Sequence, residues 1–221
     1  MLKDYFSSLI DFKEFHDKLN KKSIGRNIII NGIDEFEIDQ SFNIVMFSVE
    51  GIKLASKNSL NYSKKIRKKL YRLSWGGWNI KILDLGFFKI GNQNSDTQFA
   101  LREIVEKLAS MQIKVVVLNL NNNLIFDFYY ALKQNNNIVN IVSVDNKIPT
   151  NSRDSSLRKI LDDENCKLGE YSNVGFQKHI NNVDEIKLFE NMMFETHSLG
   201  KVKNKIINTE PIFRNSDLVN I

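Results

Sequence analysis

The sequence reads as an α/β protein, a three-layer sandwich with a mostly parallel sheet. Three observations predict this. Short, continuous apolar runs of strand length recur along the chain. Longer segments between them return their apolar residues at helical spacing. The two kinds of segment alternate. Strands that are apolar throughout belong to sheets covered on both faces, and strand–helix alternation is what parallel crossovers require.

In chain order, residues 1–41 read as a polar, partly helical N-terminal arm, with Phe12, Phe15, His16 and Leu19 at helical spacing. Residues 42–221 read as one α/β domain without repeats or linkers. "FNIVMFSV" (Phe42–Val49) is the first buried strand. "NSLNYSKKIRKKLYRLSW" follows as an amphipathic helix whose apolar face is Leu60, Ser63, Ile66, Leu70 and Leu73. "NIKILDLG" (Asn79–Gly86) is the second strand. "SDTQFALREIVEKLASM" is a helix that Ser95 or Asp96 can cap, with Phe99, Leu101, Ile104, Val105 and Leu108 inward. "KVVVLNL" is the third strand, "LIFDFYYALKQ" the third helix and "NIVNIVSVD" (Asn137–Asp145) the fourth strand. "SSLRKILDDE" is a short helix and "YSNVGFQ" a strand. "VDEIKLFENMMFETHSL" reads as one helix with Ile186, Phe189, Met192 and Met193 inward. "SDLVNI" reads as the first half of another strand.

Composition narrows the class. Apolar residues make up 42% and charged residues 26%, which is ordinary for a globular domain. The formal charge of +5 and pI of about 9.1 lean only weakly towards anionic partners, since 31 basic residues face 26 acidic ones. The single cysteine, Cys166, excludes an internal disulfide framework and a CxxC metal site. No apolar run approaches the roughly 20 residues of a membrane helix. The N-terminus has no signal-peptide pattern, so the expectation is a cytoplasmic protein without a membrane partner.

Ligands of such sheets bind beyond the C-terminal strand ends. The residues to inspect are Glu50-Gly51, Asp84 to Gly86, Asn119 to Asn123, and Asp145 to Pro149. Asp145 is the best placed. A carboxylate there can hold a divalent cation, but its neighbours Asn146, Lys147, Ile148 and Pro149 offer little help. Capping of the following turn is the simpler role. His16, His179 and His197 lack the spacing of a zinc site, and Glu195 and His197 would point apart on a helix. Cys166 sits among acidic residues, the wrong surroundings for a nucleophilic thiolate. "SWGGW" (Ser74–Trp78) precedes a strand instead of following one and reads as a turn. The basic run Lys64–Arg72 could contact phosphates, but it reads first as the solvated face of its helix.

The order of several segments resembles the ureohydrolase superfamily of arginase, agmatinase and formimidoylglutamase, and most of all its formimidoylglutamase-like branch. The segments are "NSLNYSKKIRKKLYRL", "ILDLGFFKIGNQNSDTQFAL", "VVVLNLNNNLIFDFYYAL", "IVSVD", "YSNVGFQ" and "SLGKVKNKIINTEPIFRNSDLV". The resemblance covers most of residues 42–221 and stops where a full-length member would continue, so a missing C-terminal part is expected. It implies an arginase-like fold and a pair of manganese ions at the strand ends. A bridging hydroxide would attack a linear amidine there and release formamide or urea. Three ligand motifs carry the metals in the family. "LNLNNNLI" falls on the Gly-Gly-Xaa-His turn, where Asn119 and Leu120 stand at the glycines and Asn122 at the histidine. In the Asp-Xaa-His-Xaa-Asp motif Asp145 matches the first carboxylate, while Lys147 replaces the histidine and Pro149 the second Asp. The third motif would begin past Ile221.

Asp145 is thus the only matching ligand position, and no catalytic residue is assigned. The expectation is a degenerate, non-catalytic relative that binds no manganese, paired with itself or another subunit to cover an unfinished sheet. An active hydrolase with an unusual or shared metal site is the alternative in the enzyme class. A basic nucleic-acid-binding module is the alternative in the binding class.

Overall fold

The computed structural model describes residues 2–49, 57–118, 124–148 and 155–221. The chain divides into two compact units, Met1–Asn121 and Asn122–Ile221.

The first unit contains β1 (Phe6–Ser7), α1 (Lys13–Asp17), β2 (Ile29–Ile30), β3 (Ile44–Val49), α2 (Lys57–Arg72), β4 (Ile82–Phe88), α3 (Asn94–Ser110) and β5 (Lys114–Leu118). Its sheet runs β1-β4-β3-β5, with β2 also paired to β4. β2, β3 and β5 make parallel pairs, and β1 joins β4 antiparallel. The apolar runs at β3, β4 and β5 are therefore parallel strands, as their composition requires. β4 continues past the Gly86 at which the sequence reading ended it. The β3–β4 register skips a residue after Met46, so that Phe47 faces Gly86. Gly86 has a φ of +90°, and a Cβ there would lie 2.3 Å from the Ser7 carbonyl oxygen. Only glycine fits this bulge, because β1 crosses against it.

The N-terminal arm is more than an appendage. It supplies β1, β2 and the buried side chains Phe6, Leu9, Phe12, Ile24, Ile28 and Ile30. These residues are too scattered to show either period in sequence, and their contacts are tertiary. The α2 face also differs from expectation. Ser63, Arg67 and Tyr71 point inward, while Ile66 and Leu73 are exposed. A buried ion pair, described below, overrides the apolar periodicity. α3 is capped by a reciprocal box in which the Asp96 carboxylate accepts from Gln93 N–H at 3.2 Å. Its buried face is Thr97, Leu101, Ile104, Val105 and Leu108. Phe99, read as inward, is 70% exposed.

The second unit contains α4 (Ile125–Asn135), β6 (Val139–Val144), α5 (Ser156–Leu161), β7 (Leu168–Phe176), α6 (Val183–Asn191), β8 (Glu195–Ser198), α7 (Leu199–Asn204), α8 (Glu210–Arg214) and β9 (Leu218–Asn220). Its described strands form an all-parallel sheet in the order β8-β7-β6-β9. Ile125, Tyr129, Val139, Ile141, Leu157 and Ile160 are among its buried core. Tyr171, Phe189 and Phe194 stack around one another at centroid separations of 5.1–5.8 Å. Each such pair is worth about 0.5–1.5 kcal/mol beyond its burial.

The single helix read over residues 183–199 is in fact a helix and a strand. α6 stops at Asn191, and Met193 takes a left-handed φ of 57° with its side chain solvent-exposed. The Met192-Met193 pair prolonged the apolar period in sequence. The polar strand Glu195–Ser198 has no apolar run to announce it. Ile186 and Phe189 do pack inward as expected.

Candidate functional site

The C-terminal ends of β6 and β7 form the candidate site of the second unit. Asp145 follows β6 directly, and its N–H donates to the Val174 carbonyl at 3.1 Å. Its carboxylate Oδ1 accepts from Lys147 N–H at 3.1 Å, two residues on. That is an Asx turn, the capping role expected of an Asp in this position. Lys147 is exposed, and its carbonyl accepts from Asn173 Nδ2 at 3.0 Å. Asn181 closes the loop from the other side. Its Oδ1 accepts from Ile148 N–H at 2.8 Å, and its Nδ2 donates to the carbonyls of Asn146 and Gln177 at 2.9 and 2.8 Å.

Beneath the loop runs a polar row across the sheet. The register places Asn220, Ser143, Asn173 and Thr196 side by side on β9, β6, β7 and β8. Asn220 Nδ2 donates to Ser143 Oγ at 3.3 Å. Burial, together with the nearby Asp145 charge, pushes the Tyr171 phenol up to about 12. Asn173 Oδ1 is buried with no hydrogen-bond partner. The row is made of amides and hydroxyls, and Asp145 follows β6 above it.

Of the four ligand positions singled out in the sequence, Asp145 and Lys147 are described, while Asn122 and Pro149 lie outside the described residues. So do Glu50-Gly51 and the Asn119 to Asn123 joint. Among the described residues no group of three or more His, Cys, Asp or Glu is placed to hold a metal ion. His16 is buried beside Arg26 Nη1 at 3.3 Å, and His179 is exposed. His197 and Glu195 do meet, at 3.0 Å, because they sit two apart on strand β8 and not on a helix. Cys166 is exposed and its Sγ accepts from the Tyr129 hydroxyl at 3.7 Å.

Asp84, a candidate by its sequence position, is not at a strand end at all. It lies within β4, fully buried, and binds Arg67 of α2. Arg67 Nε and Nη2 donate to its two oxygens at 2.8 and 3.1 Å. The Tyr71 hydroxyl donates at 2.6 Å and Gly86 N–H at 2.9 Å. The guanidinium is completed by Ser48 Oγ and the Gly86 carbonyl, each at 2.9 Å. Burial, then the Asp84 charge, holds the Tyr71 phenol well above its ordinary range. Every group in this network has partners, which is what makes a buried ion pair tolerable. Sequence reasoning missed it, although an Asp inside an apolar strand and an Arg-Tyr pair at i,i+4 were both visible.

The basic run on α2 is only partly engaged, since Lys65, Lys68, Lys69 and Arg72 are exposed. Arg67 is buried, Lys64 approaches Asp11 at 3.9 Å, and Lys68 and Arg72 lie over the Phe15 ring at 5.8 and 5.2 Å. Its reading as a wholly solvated face fails at Arg67. No described helix is long and apolar enough to cross a membrane.

No family model and no curated protein matches the sequence. Solved structures do match its fold. A manganese-bound formiminoglutamase from Trypanosoma cruzi superposes with a TM-score of 0.62 at 13% identity, over 79% of this chain and 66% of that one. Formimidoylglutamase from Bacillus subtilis gives a TM-score of 0.61 at 14% identity, over 84% and 70%. An arginase superfamily protein from Trypanosoma cruzi gives 0.61 at 13%, over 77% and 64%. The chain thus spans just under two thirds of the first of these structures, 66% of its length. Its α/β architecture is that of the formiminoglutamases and their arginase-like relatives.

Proposed function

We propose that this chain is a non-catalytic relative of the manganese ureohydrolases, keeping their scaffold without their metal centre. The observation that carries this reading is the end of β6. Its one carboxylate, Asp145, caps its own turn by accepting from Lys147 N–H. The residue standing where the family resemblance places a histidine is Lys147, an exposed ammonium-bearing side chain. A divalent ion there would meet one carboxylate and a nearby cation. Holding two such ions takes several anionic or imidazole ligands. Asn122 at the other matched position supplies at best a neutral oxygen, and proline at position 149 supplies no side-chain donor. The donor set does not fit a manganese pair, and no catalytic step is derived through one.

The test is chemical. Purified protein is incubated with manganese and assayed for urea or formamide release from formiminoglutamate, arginine and agmatine. No release above the uncatalysed rate is expected. Turnover that depends on manganese would return the chain to the amidine hydrolases. Burial of Arg67 takes one cation from the nucleic-acid reading, which would rest on the exposed Lys65, Lys68, Lys69 and Arg72. Salt-dependent binding to a generic duplex would favour it.

A further inference from the structure

We propose that the exposed face of α2, with the tryptophan turn after it, rests on the surface of an anionic lipid bilayer. Its cations would meet the headgroups and its apolar side chains would dip between them. The face exists because Arg67 and Tyr71 take the inward side of the helix to reach Asp84. This orientation carries apolar residues outward. Tyr62, Ile66 and Leu73, spaced four and seven apart, form one line along the helix. With Trp78 of the following turn they are 43–56% exposed. Lys65, Lys69 and Arg72, all exposed, run beside that line. Residues 57–78 hold seven basic residues and no acidic one.

The turn is built to hold an aromatic ring at the surface. Ile24 N–H donates to the Leu73 carbonyl and Trp75 N–H to the Lys22 carbonyl, each at 2.7 Å. Gly76 leaves room for Trp78, since a Cβ there would lie 2.5 Å from its ring. Trp75 meets that ring edge-on at a centroid separation of 5.2 Å. Lys21 and Lys22, both exposed, add cations at this end. Every residue of the face and of its supports belongs to the first unit.

The mixture of side chains selects the occupant. Duplex phosphates would pair with the lysines and give Ile66 and Leu73 nothing to bury against. An anionic bilayer supplies both needs: negative headgroups for Lys and Arg, and an interfacial layer suited to Trp, Tyr and aliphatic side chains. A helix face is convex, and a bilayer needs no groove to receive it. No described helix can cross a membrane, which bears on spanning one and not on lying at its surface.

Binding of this kind is independent of the proposed loss of catalysis, and its test reads no activity. The full chain is mixed with vesicles of equal parts phosphatidylserine and phosphatidylcholine, and with vesicles of phosphatidylcholine alone. Co-sedimentation with the first and not the second is expected, weakening as salt rises, with a blue shift in the emission of Trp75 and Trp78. Lys65→Gln with Lys69→Gln is expected to lower the affinity at least about tenfold. Ile66→Gln with Leu73→Gln keeps every charge. It is expected to lower the affinity severalfold and to shrink the blue shift, with an unchanged circular dichroism spectrum. Absence of co-sedimentation with the phosphatidylserine vesicles at low salt overturns the proposal. So does full vesicle affinity in the Ile66→Gln, Leu73→Gln variant, or a chain that binds a generic duplex and not the vesicles.

Discussion

Replacing Asp84 by asparagine keeps the shape of the side chain and removes its charge. Arg67, 0% exposed, would then sit buried without a counter-ion. Asp84 accepts from Arg67 Nε and Nη2, from Tyr71 and from Gly86 N–H, at 2.6–3.1 Å. The amide cannot accept all of these, and its NH₂ would face a guanidinium donor. Stranding one partner of a buried ion pair costs about 3–5 kcal/mol. That is roughly two to three and a half powers of ten in the folding constant, at about 1.4 kcal/mol each. The assay is urea unfolding followed by tryptophan fluorescence. The chain's two tryptophans, Trp75 and Trp78, both lie in the first unit. The midpoint is expected to fall by at least about 1 M. Arg67→Met combined with Asp84→Leu removes both charges and leaves the Tyr71 hydroxyl and the Gly86 N–H without this acceptor, so the double variant is expected to lose less than the single one, which keeps a buried unpaired charge. A loss below about 1 kcal/mol for Asp84→Asn, or a double variant no better than the single, would refute the reading of this pair as the anchor of α2 on β4.

Two further outcomes follow from the same structure. Gly86→Ala forces a Cβ to within 2.3 Å of the Ser7 carbonyl oxygen at a φ of +90°. It is expected to cost about 1–3 kcal/mol and to loosen β1, read as faster amide exchange at Ser7 and Phe88. The Tyr171 phenol rises from 10.0 to about 12 in the folded state. Its contribution is therefore complete below pH 10 and lost as pH climbs from 10 to about 12, because the unfolded phenol ionises first. Unfolding midpoints measured across that window are expected to decline, and Tyr171→Phe to reduce the decline. A flat profile would contradict the burial of this hydroxyl.

The parts of the fold visible in sequence were those carried by period. β3, β4, β5 and β6 each announce themselves as continuous apolar runs, and α3 by its cap and buried stripe. What stayed hidden depended on partners distant in sequence. β1 and β2 are two-residue strands, stabilised by pairing with β4. β8, Glu195-Thr196-His197-Ser198, is polar and so has no apolar run to mark it, and it is the end strand of its sheet among the described residues. The inward turn of Arg67 contradicts the α2 apolar pattern because Asp84 waits inside the sheet, and that charge outweighs Ile66 and Leu73. At the candidate site, the capping role of Asp145 followed from a short Asx turn and was legible. The supporting bonds from Asn173 and Asn181 come from 26 to 35 residues away and were not.

The measurement that bears most directly on the proposed loss of the metal centre is manganese content after equilibration with excess metal and exhaustive dialysis, read by elemental analysis. The chain is expected to retain far less than one ion per polypeptide, and Lys147→His alone is expected to change little, since Asp145 would gain only one partner. Stoichiometric manganese that survives dialysis, and is lost on Asp145→Ala, would contradict the account.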